Sequence, residues 1–112
     1  MRLTQGDVIH VNFNPTVGSE QHGKRPAVVV SNNFVIQNTN IVFVAPITSK
    51  QGNTAFNVAL DDKTKTKGAV MCAHMRAIDI SKRHYDYIES LPMEKLKEIL
   101  NIVFSLVEPS DL

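Results

Sequence analysis

The stretch GSEQHGKRPAVVV, residues 18–30, joins a polar loop directly to an apolar, β-branched segment. From residue 27 to residue 30 every side chain is apolar, which is typical of a strand buried on both faces. The segment NIVFVAPITS, residues 40–49, has the same character and predicts a second buried strand. The centre of the predicted fold is therefore a sheet.

Strands are also predicted on either side of these two segments. In DVIHVNF, residues 7–13, apolar and polar side chains alternate, so Ile9, Val11 and Phe13 share one face of a strand. Further strands are predicted within residues 54–60, 68–78 and 85–88, with a polar turn at residues 61–68 that ends in Gly68. The segment between the first two strands is a loop of about ten residues, longer than an ordinary hairpin connection.

The C-terminal segment has a different periodicity. Apolar residues recur at helical spacing from Leu96 to Val107, which predicts one amphipathic helix over Met93–Val107. Pro92 suits the first turn of this helix and Pro109 marks its end. The resulting fold class is mainly β (α+β): a small SH3-like curled sheet or barrel of about six strands, with the helix covering one open side.

Length and composition restrict the class of protein. A chain of 112 residues, 43% of them hydrophobic, is predicted to form a single domain over residues 1–112. No apolar run is long enough for a membrane span and the N-terminus lacks a secretory signal, so we expect a cytoplasmic protein without a membrane partner. The one cysteine, Cys72, lies in an apolar run and is interpreted as a buried structural thiol in preference to a reactive one.

Charge is distributed unevenly along the chain. Residues 1–83 carry ten Lys and Arg against five Asp and Glu, whereas residues 84–112 carry two against six. The excess of basic residues within residues 1–83 favours a polyanionic partner, although solvated surface charge is the commoner explanation. The four histidines have no zinc spacing, and the adjacent Asp61 and Asp62 do not suit Mg²⁺, so no metal site and no cofactor are predicted.

Three segments carry a resemblance to a known family. GDVIHVNFNPTVGSEQHGKRPAVVVSNN (residues 6–33), VAPITS (residues 44–49) and MRAID (residues 75–79) resemble the landmarks of the MazF/PemK-type toxins. The resemblance implies a metal-independent endoribonuclease that cleaves single-stranded RNA at short motifs and so inhibits translation. It also implies a homodimer, an antitoxin whose disordered acidic segment occupies the RNA groove, and contact with DNA only through that antitoxin.

The same resemblance places the catalytic positions at Arg25 and Thr48. A guanidinium grips two phosphate oxygens and stays charged, and Pro26 restricts the backbone of Arg25 to extended conformations. From the residues alone, a surface arginine beside a strand and a threonine that caps a strand end are the commoner interpretations. We expect Arg25 to stabilise charge, because its pKa is too high for ready proton transfer.

The remaining candidate residues are expected to bind RNA or to move protons. The predicted RNA-binding residues are Ser19, Glu20, Gln21, Lys24, Ser49, Lys50, His74 and Arg76. Lysine and arginine in this set are interpreted as phosphate contacts, and the loop from Asn14 to Lys24 either closes over RNA or is a flexible hairpin. His74 stands where many relatives carry glutamine, so it either replaces that hydrogen bond or exchanges protons. Glu20, His22, His74 and water are the candidate proton acceptors.

Two other hypotheses remain open at this stage. One is a non-enzymatic toxin on a similar barrel that binds a protein such as DNA gyrase. The other is a plain SH3-like barrel that binds nucleic acid or protein without activity.

Overall fold

The computed structural model describes residues 3–13, 24–50 and 55–111. The strands are β1 (Asp7–Asn12), β2 (Lys24–Val29), β3 (Ile41–Thr48), β4 (Asn57–Ala59), β5 (Ala69–Met71), β6 (Arg76–Asp79) and β7 (Tyr85–Ser90). The helices are α1 (Asn33–Asn38) and α2 (Met93–Ser105), with 3-10 turns at Cys72–His74 and Ile80–Lys82.

The strands form one antiparallel sheet in the order β4-β5-β3-β2-β1-β7, and β6 pairs with the first half of β3. The sheet is curled, and within the described residues its two end strands, β4 and β7, do not pair with each other. The predicted mainly β fold with a C-terminal helix is confirmed, with seven strands among the described residues where the sequence predicted about six.

The central strands bury apolar side chains on both faces, as the sequence predicted. Residues that pair across an antiparallel sheet point to the same side, so the register assigns each residue to a face. We call the side packed against α2 the helix-covered face; its buried cluster is Val8, Val28, Val30, Ala45, Ile47, Val58, Leu60, Val70, Cys72, Leu91 and Ile99. We call the other side the opposite face; its buried cluster is Leu3, Ile9, Val11, Phe13, Ala27, Val29, Val42, Val44 and Ile78.

Helix α2 begins at the predicted residue and ends two residues earlier than predicted, at Ser105. Leu96 and Ile99 are buried against the sheet, which confirms that the helix covers one side. Pro92 caps the helix at φ −58° and does not lie within its first turn. This difference is small, because a proline has no N–H to leave unpaired at either position.

Two local elements differ from the sequence prediction. The segment predicted as one strand over residues 68–78 is divided by the 3-10 turn at Cys72–His74, because β5 pairs with the end of β3 and β6 with its beginning. Helix α1 was not predicted, and none of its residues is buried. It is held by its cap, since the Asn32 side chain accepts a hydrogen bond from the Val35 N–H at 3.0 Å.

Asp7, the acidic residue of the first family landmark, has a structural setting. It is 4% exposed, and its carboxylate accepts hydrogen bonds from the backbone and hydroxyl of Thr4 and from the Ser90 hydroxyl at 2.9–3.0 Å. These bonds fix the turn before β1 to the end of β7. None of the helices in the described ranges is both long and apolar enough to cross a membrane.

Candidate active site

The register of β2 and β3 brings the two predicted catalytic residues to one place. Ala27 pairs with Pro46, and Val28 pairs with Ala45. Continued for two more residues, this register sets Arg25 opposite Thr48. The pairing of Arg25 with the buried Val11 places its side chain on the opposite face, and alternation along β3 places Thr48 there too.

Arg25 lies where the apolar cluster of the opposite face ends. The residue is exposed, while its neighbours along this face, Val11 and Ala27, have no exposed surface. The Arg25 side chain makes no ion pair or hydrogen bond with any residue of the described ranges. Its backbone is nevertheless fixed in β2, so an unneutralised guanidinium extends from a rigid strand.

The Thr48 hydroxyl is oriented by its own chain. Its Oγ1 accepts a hydrogen bond from the Lys50 N–H at 3.2 Å, which is the strand-end capping considered from the sequence. A hydroxyl that accepts one bond still has its proton to donate. Capping therefore fixes Thr48 without removing its capacity to donate to a phosphate.

A glycine holds the neighbouring turn against Thr48. Gly68 has a φ of +115°, and a Cβ built on it would lie 2.0 Å from the Thr48 carbonyl oxygen. Only glycine permits this approach, because any side chain meets backbone. Glu89 anchors the same turn by accepting hydrogen bonds from Lys65 N and Thr66 N at 3.1 and 2.7 Å.

The Glu89 carboxylate also accepts a hydrogen bond from the Thr66 hydroxyl at 2.7 Å. Partial burial raises the pKa of its carboxyl, but the hydrogen bonds from Lys65 and Thr66 outweigh burial and leave the pKa below its ordinary value. The ionised carboxylate therefore holds the turn at neutral pH.

Lys24 lies on the other side of the strand from Arg25. Its pairing with Asn12 assigns it to the helix-covered side, and its Nζ lies 4.0 Å from the Asp86 carboxylate. Asp86 also lies 3.2 Å from Nε2 of His84. Adjacent basic residues thus have different environments, one paired with a carboxylate and one unpaired within the described ranges.

The other predicted RNA-binding residues of the described ranges lie after β3, in the turn before β6 and at the start of β6. Ser49 and Lys50 are exposed directly after β3, and His74 is exposed at the end of its 3-10 turn. Arg76 pairs with Val44 and therefore shares the opposite face with Arg25. The predicted contacts Ser19, Glu20 and Gln21, and the candidate acceptor His22, lie outside the described residues.

Phe13 and Arg83 were not assigned a binding role from the sequence. The Arg76 Cζ lies over the Phe13 ring, 5.2 Å from its centroid, and Arg83 Nη1 donates to the Asn12 carbonyl at 2.8 Å. The alternation along β1 assigned Phe13 to a face, but it gave no indication of which residue from a distant strand would reach that ring.

Side chains that could act as a nucleophile or as metal ligands were also considered outside this site. Cys72 has no exposed surface, and burial raises the pKa of its thiol to about 11, so the predicted structural thiol is confirmed. Within the described ranges, no group of three or more His, Cys, Asp or Glu side chains could hold a metal ion.

A depression of about 120 Å³ lies at the start of α2 and includes none of the predicted site residues. Its lining residues are Asp61, Lys63, Pro92, Glu94, Lys95 and Glu98. Lys95 Nζ lies 3.7 Å from the Asp61 carboxylate and 3.1 Å from that of Glu98, so the charges here pair with one another.

Comparisons with known proteins find relatives of this chain. Residues 4–106 match the model of the PemK-like, MazF-like toxins of type II toxin-antitoxin systems. The chain is 34% identical over 103 residues to endoribonuclease PemK of Escherichia coli, covering 88% of this chain and 77% of that protein. It is 30% identical over 116 residues to endoribonuclease EndoA of Bacillus subtilis, covering 96% of this chain and 99% of that protein.

Solved structures show the same fold. The crystal structure of MazF from Deinococcus radiodurans matches with a TM-score of 0.82 and 29% identity, covering 96% of this chain and 97% of that one. A MazE-MazF structure from the same organism matches with a TM-score of 0.83 and 27% identity, with the same coverage of both chains.

Proposed function

The chain belongs to the PemK-like, MazF-like family of type II toxin-antitoxin toxins, and we propose that Arg25 and Thr48 carry out its endoribonuclease chemistry. The observation that carries this proposal is the register of β2 and β3, which directs both side chains to one rim of the opposite face. The names of the relatives favour an endoribonuclease over the gyrase-binding toxin and the inactive barrel.

The proposed reaction needs no metal. The ribose 2′-hydroxyl gives its proton to an acceptor and its oxygen forms a bond to the adjacent phosphorus. The bond to the 5′-oxygen breaks and that oxygen takes up a proton from solvent, giving a cyclic phosphate and a 5′-hydroxyl. Negative charge grows on the phosphorane oxygens, and the unpaired Arg25 guanidinium binds two of them. The Thr48 hydroxyl, held through its acceptor side by the Lys50 N–H, donates to the same phosphate.

The substrate is proposed to be single-stranded messenger RNA, so cleavage inhibits translation. Ser49, Lys50, His74 and Arg76 are exposed. Ser49 and Lys50 directly follow Thr48, and Arg76 pairs with Val44 of the same strand. The basic residues among them suit the phosphate backbone, which predicts binding that weakens as salt rises. The acceptor of the 2′-hydroxyl proton is proposed from Glu20, His22, His74 and water.

The proposed partners are a cognate antitoxin and a second copy of the chain. The Deinococcus radiodurans relative has been crystallised as a MazE-MazF pair. A rim with unneutralised arginines suits the disordered acidic segment expected of an antitoxin, which would exclude RNA by charge complementarity. We propose a cytoplasmic homodimer that reaches DNA only through this antitoxin.

The chemistry is tested by incubating the purified protein with a mixed-sequence RNA in excess EDTA. Cleavage should continue, and the products should carry a cyclic phosphate and a 5′-hydroxyl. An RNA with 2′-deoxyribose on the 5′ side of the mapped cut should stay intact. Cleavage of that RNA, or loss of all activity in EDTA that added metal restores, would contradict the proposed mechanism.

A further inference from the structure

Phe13 and Arg76 meet across the opposite face although their strands are not neighbours. Phe13 follows β1 and Arg76 begins β6, with β2 and β3 between these strands in the sheet. On a flat sheet, three strand spacings alone amount to about 14 Å. The register also sets Arg76 level with the start of β1, whereas Phe13 follows the end of that strand, so the two backbones would lie still farther apart. The curl of the sheet and the length of the arginine bring the Arg76 Cζ to 5.2 Å from the ring centroid.

The ring is a rigid support. Phe13 is 9% exposed and packs in the opposite-face cluster, where its neighbours on the same strand, Ile9 and Val11, have no exposed surface. Arg76 itself is exposed. The buried Phe13 ring therefore restricts the exposed Arg76 side chain. Arg76 then loses less conformational entropy when a ligand binds.

The ring fixes Arg76 without neutralising it. The Arg76 side chain makes no ion pair or hydrogen bond with the described residues, so its charge and its guanidinium N–H donors are unpaired there. A carboxylate partner would also have oriented the guanidinium, but it would have occupied those donors and cancelled the charge. A ring attracts the cation through its quadrupole and leaves the N–H edges free.

We propose that Phe13 is a positioning residue that holds the Arg76 guanidinium on the opposite face for contact with an RNA phosphate. This inference rests on the proposed function, because it concerns the same RNA-binding rim. Both arginines on this face, Arg25 and Arg76, are then unpaired cations held by rigid surroundings: the first by its strand and Pro26, the second by the ring of Phe13.

The test measures binding of a mixed-sequence single-stranded oligonucleotide with 2′-O-methyl riboses, which attack by the 2′-hydroxyl cannot cleave. Arg76→Ala should reduce the slope of log K against log salt by about 0.7, the value for one phosphate contact on a single strand. Phe13→Leu should weaken binding about two- to five-fold, the equivalent of a surface cation–π contact. Phe13→Tyr keeps a ring and should restore the affinity.

A double-mutant cycle separates positioning from a general packing effect. In the Arg76→Ala background, Phe13→Leu should have almost no further effect on binding. Ile9→Val, which removes apolar volume from the same cluster, should leave binding unchanged. An equal loss on Phe13→Leu with and without Arg76, or an unchanged salt slope on Arg76→Ala, would overturn the inference.

The outcomes distinguish this inference from the proposed function. Normal RNA cleavage without coupling between Phe13 and Arg76 would overturn the inference alone. Coupling in binding together with absent RNA cleavage would support the inference and contradict the proposed function. An unmodified chain that does not bind the oligonucleotide would contradict both.

Discussion

On the helix-covered face the apolar side chains of the sheet form one buried cluster with Ile99 of α2. On the opposite face the apolar cluster gives way to Arg25 and Thr48 at the ends of β2 and β3. Packing of α2 thus stabilises the helix-covered face, whereas on the opposite face β2 and β3 carry polar side chains at their ends. Stability and the proposed chemistry therefore depend on different side chains of the same strands.

The difference is already present between adjacent residues. Lys24 pairs with Asp86 on the helix-covered side, while Arg25 extends unpaired from the opposite face. Because side chains alternate along a strand, a shift of one residue in register would exchange their positions. The site therefore depends on the register that the buried cores impose.

The largest expected effect comes from breaking the proposed site through Arg25. Arg25→Ala should lower kcat for RNA cleavage about 10²- to 10³-fold, as expected when one group that stabilises transition-state charge is removed. Lys24→Ala removes the same formal charge from the next residue and should change kcat by much less. Steady-state cleavage of one defined RNA measures both variants. Similar losses in the two would show that total charge matters and face does not.

The next effect tests the helix-covered face. Ile99 has no exposed surface, so Ile99→Ala leaves a cavity and should lower the free energy of unfolding by about 2–5 kcal/mol. Urea denaturation measures this loss, and Asn101→Ala on the exposed side of α2 is the matched control. Cleavage per folded molecule should be unchanged, and a large fall in kcat would contradict the separation of the two faces.

A smaller effect is expected at the glycine that contacts the site. Gly68→Ala places a Cβ against the Thr48 carbonyl at positive φ and should cost about 1–3 kcal/mol of stability together with a lower kcat. Gly6 is the control, because its φ is +93° but its nearest neighbour is a side chain of Leu96 at 3.1 Å. Gly6→Ala should lose stability without losing kcat. Equal kcat values in both variants would argue against a role for the turn in placing Thr48.

The smallest effect concerns the pH dependence of the turn at residues 61–68. The pKa of Glu89 is lowered in the folded state, so the unfolded state binds more protons as pH falls below about 4.5. Its contribution to stability is present above that pH and is lost on acidification through the folded pKa. Glu89→Gln should therefore show a shallower loss of stability below pH 4.5 than the unmodified chain.

Other carboxylates titrate in the same range, since hydrogen bonds also lower the pKa of Asp61 and Asp79. The measurement is for this reason the difference between the two proteins in chemical denaturation from pH 3 to pH 7. Parallel curves for the two would show that Glu89 does not hold the turn.

The fold was largely predictable because its signals are local. Runs of β-branched residues predict buried strands, and the helical spacing of apolar residues predicts α2, so β1, β2, β3 and α2 were all expected. Helix α1 gave no such signal, since none of its residues is fully buried and only Ile36 packs, partly buried, against the opposite-face cluster. The division of residues 68–78 depends on pairing with two separate parts of β3, which no local pattern encodes.

The candidate site was predicted in its residues but not in its arrangement. Arg25 and Thr48 were identified through the family resemblance, and the roles of all predicted site residues stay predictions. The sequence grouped Lys24 with Arg76 as phosphate contacts, whereas the structure places Lys24 beside Asp86 and Arg76 over Phe13. Those partners come from distant parts of the chain, so spacing alone could not reveal them.

Residue type and short-range spacing were enough to predict the main strands, the apolar face of α2 and the family to which the chain belongs. Which side chains share a rim of the sheet, and which charges are compensated by an ion pair, became known only from the folded structure. The reason is physical: burial of two apolar clusters sets the register and the curl, and these long-range pairings determine the position of every polar group at the edge of the sheet.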